Sequence, residues 1–461
     1  MANQCKFYKV VRQVSYDSGV TWVNIGETQK GDLYEYDSAE CGAVTQYRWV
    51  DVTGAYTCEG TTKYQKTKKQ YSTDGTTWQD VSPAEYGRGD MIEIESVDCG
   101  YDTAYSGQYL TFIARENTSF SFVSWIRRPD ENKNRKINSV YYSLDGGNTW
   151  TEISNDQNNL FSQKWTPTVS RGNKILWKGN FVPDFTATTG GTGYNYYSSR
   201  NGFESTGAFD VVGNVMSLYH SDNFRGKTSL AGTIDVFNGL FHTCNKLVNA
   251  VNMVLPATTL GAGCYKGMFW GCSNLVTFPE LPSTSLQKQC YMDMFRECSS
   301  LTTVPALRAT TVAEYCYQAM FEKCTSLTSV PSSMLPATNF QGNRCYQYMF
   351  NGCTSLTTAP ALPATSLTEG CYMAMFSGCT SLTTAPVLSA ETLEDVCYAY
   401  MFKGCSNLSY IKCIATSLGD TSSRRDWVVG VSSSGTFVKA SDASWTTGVN
   451  GIPTNWTVQN A

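Results

Sequence analysis

Pairs of cysteines eight residues apart are the first residues in this 461-residue chain whose type and spacing could do chemistry. The pair occurs six times, for example as CYKGMFWGC at 264–272 and as CYMAMFSGC at 371–379. Cysteine thiolates bind zinc or exchange disulfides, so a metal clip and a redox pair are the first interpretations to test. The cysteines concerned are Cys264, Cys272, Cys290, Cys298, Cys316, Cys324, Cys345, Cys353, Cys371, Cys379, Cys397 and Cys405.

The neighbouring residues argue against both kinds of cysteine chemistry. Cys371, Met375 and Cys379 stand at i, i+4 and i+8, which predicts one face of a short helix. Cysteines at that spacing in a helix are about 12 Å apart, beyond the reach of a disulfide. The intervening Met, Phe and Tyr are not typical of a zinc knuckle, and no second pair stands at ligand spacing. We therefore predict repeated core thiols, with no metal and no cofactor.

The composition offers few residues for other kinds of catalysis or binding. The chain has two histidines, His220 and His242, and a net charge of −4. Histidine-based catalysis is therefore disfavoured, and the charge does not favour binding to nucleic acid. Isolated carboxylates are present, but no pair can be placed at catalytic separation from the sequence. We expect no enzymatic activity, no nucleic-acid partner and no membrane insertion.

The cysteine pairs belong to a longer repeat. The first cysteines follow one another at intervals of 26, 26, 29, 26 and 26 residues, a period typical of leucine-rich solenoids. After the second cysteine a leucine begins a run such as LTTVP, which predicts a short strand ended by proline. Each unit is expected to hold one short helix and one short strand. We predict an N-terminal capping unit at 237–250 and a C-terminal cap at 419–461.

The shared F-x2-C-[ST]-x-L phase of these units resembles the BspA-like leucine-rich repeats of Bacteroides surface proteins and of phages that infect those bacteria. The resemblance covers about residues 230–413. It implies a solenoid that serves as an adhesive surface.

Positions on the outer side of each unit vary freely between the units. These are the pairs of residues that follow CY and MF, and we expect them to face solvent. Such a face could bind a ligand or could simply be hydrated, and hydration is the simpler interpretation for any single residue. The candidate binding residues are Lys266, Trp270, Met292, Arg296, Tyr348, Met373, Tyr400 and Lys403.

The N-terminal third contains a second duplication, in which YKVVRQVSYDSGVTWVNI matches YQKTKKQYSTDGTTWQDV. Each copy has two cysteines near its ends, Cys5 with Cys41 and Cys58 with Cys99. These pairs could close disulfides or remain buried thiols, and the sequence does not decide between them.

Three short motifs resemble the Asp-box, a hairpin in which Asp and Gly shape the turn and Trp packs beneath it. Sialidases carry such boxes, so a glycan-processing enzyme is one alternative. Three irregularly spaced boxes are too few for a sialidase propeller, and we interpret them as architecture. The residues are Asp17 with Trp22, Asp74 with Trp78, and Asp145 with Trp150.

Taken together, the sequence predicts a multidomain protein: all-β N-terminal modules followed by a leucine-rich-repeat solenoid, with a short helix and a short strand per repeat and capping units. The expected domains are a small β module at 1–57, its second copy at 58–100, a β-sandwich-like domain at 101–230, the solenoid at 231–418 and the cap at 419–461.

The resemblance implies a virion attachment protein, a head or tail fibre of a Bacteroides-type phage that binds host glycan or protein multivalently. We expect the N-terminal modules to contact other virion proteins and the chain to form a dimer or trimer. The first residues lack a secretory leader, which favours a virion surface reached by lysis. A bacterial cell-surface adhesin is the alternative.

Overall fold

The computed structural model describes residues 7–10, 13–14, 23–24, 29–33, 46–59, 62–72, 78–80, 86–93, 103–125, 139–153, 164–181 and 200–461. The chain divides into two compact units, Met1–Asp102 and Thr103–Ala461. The finer division into five domains stays a prediction.

The first unit consists of antiparallel strands where it is described. Its strands are β1 (Phe7–Val10), β2 (Gln13–Val14), β3 (Val23–Asn24), β4 (Gln29–Leu33), β5 (Gln46–Glu59), β6 (Thr62–Ser72), β7 (Gln79–Asp80) and β8 (Tyr86–Glu93). β1 pairs with β4 and β2 with β3, while β6 pairs with β5, β7 and β8. The expected boundary at 57/58 falls inside β5 (Gln46–Glu59), so one strand runs from the expected first module into the second.

The second unit opens with helix α1 (Thr103–Ser106) and a mixed seven-stranded sheet. Its first strands are β9 (Leu110–Ala114), β10 (Phe120–Trp125), β11 (Ser139–Ser143), β12 (Thr151–Glu152), β13 (Lys174–Asn180), β14 (Arg200–Ser205), β15 (Phe209–Asn214), β16 (Leu247–Asn249) and β17 (Met253–Val254). The sheet order is β12-β11-β13-β9-β15-β16, with β17 also on β15, and β10 pairs with β14 alone. β16 and β17 come from beyond residue 230, so the sheet continues into the repeats.

Alternating burial explains why these segments form strands. Along β13 the side chains of Ile175 and Trp177 are fully buried, while Lys174 and Asn180 at the ends are exposed. Phe112 on β9 lies at the centre of the core. Its ring centroid is 4.8–5.3 Å from those of Phe120, Trp177, Phe203 and Phe209. Packing of buried aromatic rings therefore holds the β10–β14 pair against the seven-stranded sheet.

The CYxxMFxxC segments form consecutive turns. Between Cys371 and Cys379, alternate N–H groups donate to the carbonyl three residues back, such as Met375 to Tyr372 at 3.1 Å. The other N–H groups donate to the following unit, such as Phe376 to Met401 at 3.0 Å. The same alternation recurs from unit to unit, so a backbone ladder joins neighbouring units on this side.

The expected fold class, with its helix in every repeat, is therefore wrong. The described residues contain the four-residue α-helices α1 and α2 (Ser217–His220), and neither lies in a repeat. Each turn segment holds residues of positive φ four apart, such as Gly370, Ala374 and Gly378. A left-handed residue at every fourth position interrupts a right-handed helix, and the ladder to the next unit uses the N–H groups that a helix would need.

The expected strand per repeat is also largely replaced by isolated parallel bridges, such as Ser329 with Thr358 and Thr384 with Tyr410. The remaining strands are β18 (Thr311–Val312), β19 (Asn339–Phe340), β20 (Tyr410–Cys413), β21 (Thr436–Lys439) and β22 (Thr457–Asn460), and two 3-10 helices span Ser221–Asn223 and Thr421–Arg424. β18 pairs with β19, and β20-β21-β22 form a parallel sheet. The expected capping unit at 237–250 hydrogen-bonds to the next unit and contributes β16 to the large sheet; its role as a cap stays a prediction.

Two columns of buried aromatic rings run through the stacked units. Neighbouring rings in each column have centroids 5.4–6.2 Å apart and lie within 13° of parallel, apart from Tyr372 and Tyr398 at 28°. One column consists of Tyr265, Tyr291, Tyr317, Tyr346, Tyr372 and Tyr398, and the other of Phe269, Phe295, Phe321, Phe350, Phe376 and Phe402. Their burial explains why tyrosine and phenylalanine recur at fixed positions.

Candidate functional site

The repeated cysteines are all buried free thiols. The second cysteine of each unit donates its S–H to the carbonyl of a phenylalanine in the preceding unit, as Cys379 Sγ does to Phe350 O at 3.1 Å. Equivalent contacts of 3.0–3.1 Å occur at Cys272, Cys298, Cys324, Cys353 and Cys405. Burial raises the pKa of Cys353 and of Cys405 to about 12, so these thiols are protonated at neutral pH. Their geometry suits packing and weak hydrogen bonding rather than nucleophilic attack.

We expect Cys379→Ser to lower the free energy of unfolding by about 1–2 kcal/mol, because the shorter side chain leaves a void and a buried hydroxyl. Cys316→Ser and Cys371→Ser should behave in the same way. Urea denaturation of the full chain measures the change. Stoichiometric zinc in the purified chain by elemental analysis would contradict this structural role.

The candidate binding residues differ in exposure. Lys403 is exposed, whereas Lys266, Trp270, Arg296, Tyr348, Met373 and Tyr400 are partly buried. Met292 is only 5% exposed, contrary to the expectation that this position faces solvent. The outer positions of neighbouring units therefore cover one another.

Two of the candidates, Trp270 and Arg296, belong to a compact group that we call the Arg296 cluster: His242, Trp270, Asp293, Arg296, Glu297, Glu322 and Lys323. The Arg296 guanidinium lies 4.9 Å from the Trp270 ring centroid, and the His242 ring packs edge-on at 4.7 Å. The Trp270 indole N–H donates to Glu297 Oε2 at 3.3 Å. These contacts hold the rings of His242 and Trp270 and the guanidinium of Arg296 in place.

Carboxylates outnumber the cation at the centre of this cluster. Arg296 Nη1 lies 3.3 Å from Asp293 Oδ1 and 3.1 Å from Glu322 Oε2, and Arg296 Nε lies 3.8 Å from Glu297 Oε1. Burial raises the pKa of Asp293 to about 6, although the arginine partly offsets it. Burial also raises the pKa of Glu322. Lys323 Nζ binds Glu297 at 3.1 Å and holds that carboxylate in its charged form.

The other candidates lie farther along the same side of the stack. Tyr348, Ala374 and Tyr400 occupy equivalent positions in successive units, all with positive φ. Ala374 is 2% exposed, while both tyrosines are partly exposed. Lys403 Nζ lies 5.3 Å from the Tyr400 ring centroid. Two tyrosines thus flank a small residue beside an exposed cation, which could bind a hydroxylated or anionic ligand.

Met373 takes part in a short polar chain beside these tyrosines. Gln318 Nε2 donates to Gln347 Oε1 at 2.7 Å, and Gln347 Nε2 donates to Met373 Sδ at 3.1 Å. Gln318 and Gln347 are 2% exposed, so their amides are satisfied inside the stack. This part of the outer side is structural.

Of the Asp-box-like turns, the one at Asp145 is fully described. Its carboxylate accepts hydrogen bonds from the Thr149 hydroxyl at 2.6 Å, from the Thr149 N–H at 2.9 Å and from the Ser143 hydroxyl at 2.7 Å. These bonds hold the pKa of Asp145 well below its usual range. The Trp150 indole donates to Gly147 O at 3.0 Å, and Lys178 Nζ lies 4.4 Å from the Trp150 ring centroid. All of the carboxylate's bonding serves the turn.

The remaining N-terminal residues of interest are mostly outside the described part of the chain. Asp17, Trp22 and Asp74 lie outside it, as do three of the four paired cysteines, Cys5, Cys41 and Cys99. Trp78 is described and partly buried, with the Arg48 guanidinium 4.1 Å from its ring centroid. Cys58 lies in β5.

Sequence reasoning missed the carboxylates of the Arg296 cluster. A signal was present, because the pairs after MF read Arg296-Glu297 in one unit and Glu322-Lys323 in the next. Opposite charges at equivalent positions of stacked units must meet. Within the described ranges, no group of three His, Cys, Asp or Glu side chains has the geometry to hold a metal ion.

No family model matches this chain, and comparison with curated proteins and with solved structures found no match. Among the described residues, no helix is long and apolar enough to span a membrane.

Proposed function

We propose that this protein is a non-enzymatic attachment protein of a virion, a head or tail fibre of a Bacteroides-type phage, which binds host-surface glycan or protein through the outer side of its repeats. The observation that carries the proposal is the contrast between constant buried columns and variable outer residues. The rings and thiols recur unchanged in six units, whereas the position directly after each column phenylalanine is never buried and changes from unit to unit, as Trp270, Arg296 and Lys403 show.

This contrast favours recognition over catalysis. The repeated thiols are buried, those of Cys353 and Cys405 have a pKa raised to about 12 by burial, and the turn carboxylate Asp145 is occupied by hydrogen bonds. The outer side instead presents aromatic rings beside cations, as Lys403 lies beside Tyr400. Such surfaces bind sugars and peptides weakly, and many copies on one particle would convert weak contacts into firm attachment. The virion location rests on the resemblance of the repeat sequence.

The test is binding of fluorescent full-length protein, displayed multivalently on beads, to Bacteroides strains with and without capsule. The full chain is needed because truncation before residue 230 would remove β15, which pairs with β16 and β17. We expect capsule-dependent binding that falls at least about tenfold in the double variant Tyr348→Ser/Tyr400→Ser.

The matched control is Val276→Ser/Val387→Ser, which removes two exposed apolar side chains (45% and 48% exposed) elsewhere on the repeats. It should bind as the unaltered chain does. Absence of binding to every strain would reject the attachment function. Equal binding by both double variants would place the contact surface elsewhere on the chain. A bacterial cell-surface adhesin remains the alternative, and detection of the chain on uninfected Bacteroides cells rather than on purified virions would favour it.

A further inference from the structure

The last strand of the second unit, β22, is an unusual edge. It pairs with β21 on one side, and all four of its side chains are exposed. Both faces of the strand and its outer edge are therefore exposed to solvent. The register with β21 is regular over Thr457–Asn460. Thr457 and Ala461 donate their N–H groups inward, to Gly435 at 2.9 Å and to Lys439 at 2.8 Å. Since the backbone direction alternates along a strand, the N–H and C=O groups of Val458 and Asn460 point outward.

The sequence of this edge lacks the features that usually protect edges from pairing. Exposed edges are commonly guarded by charge, by proline or by very short length. At an edge of the separate seven-stranded sheet, strand β12 has two residues and includes Glu152. By contrast β22 reads TVQN, without charge or proline, and Val458 is 47% exposed. Among the described residues no strand pairs with the outer side of β22, so this edge is open to another strand.

We propose that β22 is a dimerisation edge, where it pairs antiparallel with β22 of a second copy of this chain around a two-fold axis. This inference is independent of the proposed attachment function.

Pairing of β22 with its own copy provides a hydrogen-bond partner for each outward N–H and C=O group of Val458 and Asn460. With the two-fold axis at Gln459, Val458 of one copy faces Asn460 of the other, and each pair exchanges two backbone hydrogen bonds. Charge also permits a second copy, because the strand is neutral. The ammonium of the neighbouring Lys439 is turned to its own chain, where it donates to the carbonyls of Ala440 and Ala443 at 3.1 and 3.0 Å. The pairing would join two three-stranded parallel sheets into one six-stranded sheet.

A short edge buries little surface, so we expect weak association, with a dissociation constant on the order of 10–100 μM. Sedimentation equilibrium of the full chain over a range of concentrations measures it. Gln459→Lys places two ammonium groups directly opposite each other and should raise the dissociation constant at least about tenfold. Gln459→Glu should do the same. A mixture of the two variants should recover dimers, because the opposed residues then carry opposite charges.

The matched control is Ser433→Lys, which adds the same charge at an exposed position outside β22 and should dimerise as the unaltered chain does. All of these sites are exposed, so the melting temperatures of the variants should agree. A monomer at every concentration would overturn the proposal, as would a trimer, which isologous pairing cannot form. Unchanged dimerisation of Gln459→Lys, or failure of the mixture to recover dimers, would also overturn it.

Discussion

Asp293→Asn is expected to stabilise the protein at neutral pH by about 1–3 kcal/mol, because it removes a buried carboxylate whose charged form is disfavoured. Asp293 is 1% exposed and shares Arg296 with Glu322 and Glu297. Burial raises its pKa to about 6, from an ordinary value of 3.8. The folded protein therefore binds this proton more tightly than the unfolded chain does. Below about pH 4 the protonated carboxyl does not destabilise the folded protein. Its destabilising effect on the free energy of unfolding grows as the pH rises through 6.

Urea denaturation of the full chain between pH 4 and pH 8 measures this prediction. The stability difference between variant and unaltered chain should grow with pH and level off above about pH 7. Asparagine tolerates the positive φ of 56° at this position, so the backbone should be unaffected. A variant that is less stable than the unaltered chain at pH 7.5 would show that the Asp293–Arg296 pair is net stabilising.

Asp222→Asn is the control of opposite sign. Asp222 accepts a hydrogen bond from the Tyr109 hydroxyl at 2.7 Å and binds Lys178 at 3.0 Å. These contacts lower the pKa of Asp222, so its charged form is the stabilising one. The same substitution should therefore destabilise the protein at neutral pH, and its effect should fade as the pH falls through the lowered pKa.

Phe321→Ala is expected to lower the free energy of unfolding by about 3–5 kcal/mol, the usual cost of removing a fully buried ring. Phe321 lies in the middle of its column, with ring centroids 5.6 Å from Phe295 and 5.7 Å from Phe350. The substitution leaves a cavity and removes two stacking contacts. Because packed units lie on both sides of Phe321, the neighbouring units cannot move together to fill this cavity.

Two further variants calibrate the effect of Phe321→Ala. Phe321→Leu keeps most of the apolar volume and should cost about half as much or less. Val387→Ala removes an exposed side chain, 48% accessible, and should change stability by less than about 0.5 kcal/mol. Thermal denaturation of the three variants under one condition ranks them. A loss at Phe321→Ala no larger than that at Val387→Ala would mean that the column contributes little to stability.

The sequence was informative about which repeated residues are buried. The fixed spacing of Cys, Tyr, Met, Phe and Leu identified side chains that the structure places in the core. The side chains of Cys371, Met375 and Cys379 are fully buried there. The conformation of the same segment was wrongly predicted. Spacing of i, i+4 and i+8 is also produced by consecutive turns of four residues, in which every fourth residue is left-handed. The glycines Gly370 and Gly378 were the signal, since glycine adopts positive φ without strain.

The contacts on the outer side could be predicted less well. Its variable positions could be read from the sequence, but their burial depends on the side chains of the neighbouring units. Met292 became buried, whereas Lys403 remained exposed. The raised pKa of Asp293 arises from residues in two units, Arg296 in its own and Glu322 in the next. Coupling of this kind appears only when the units are stacked in space.

The way in which the units bond has a consequence for how such a chain can evolve. Each unit takes its backbone, thiol and ring partners from the unit before and the unit after, as Cys379 and Phe376 do. A duplication or deletion of one whole repeat in the gene would renew the backbone, thiol and ring contacts at the junction, because these donors, acceptors and rings are equivalent on both sides. Length is thus a property that recombination can adjust by one repeat at a time, while the sheet at one end and β22 at the other are kept.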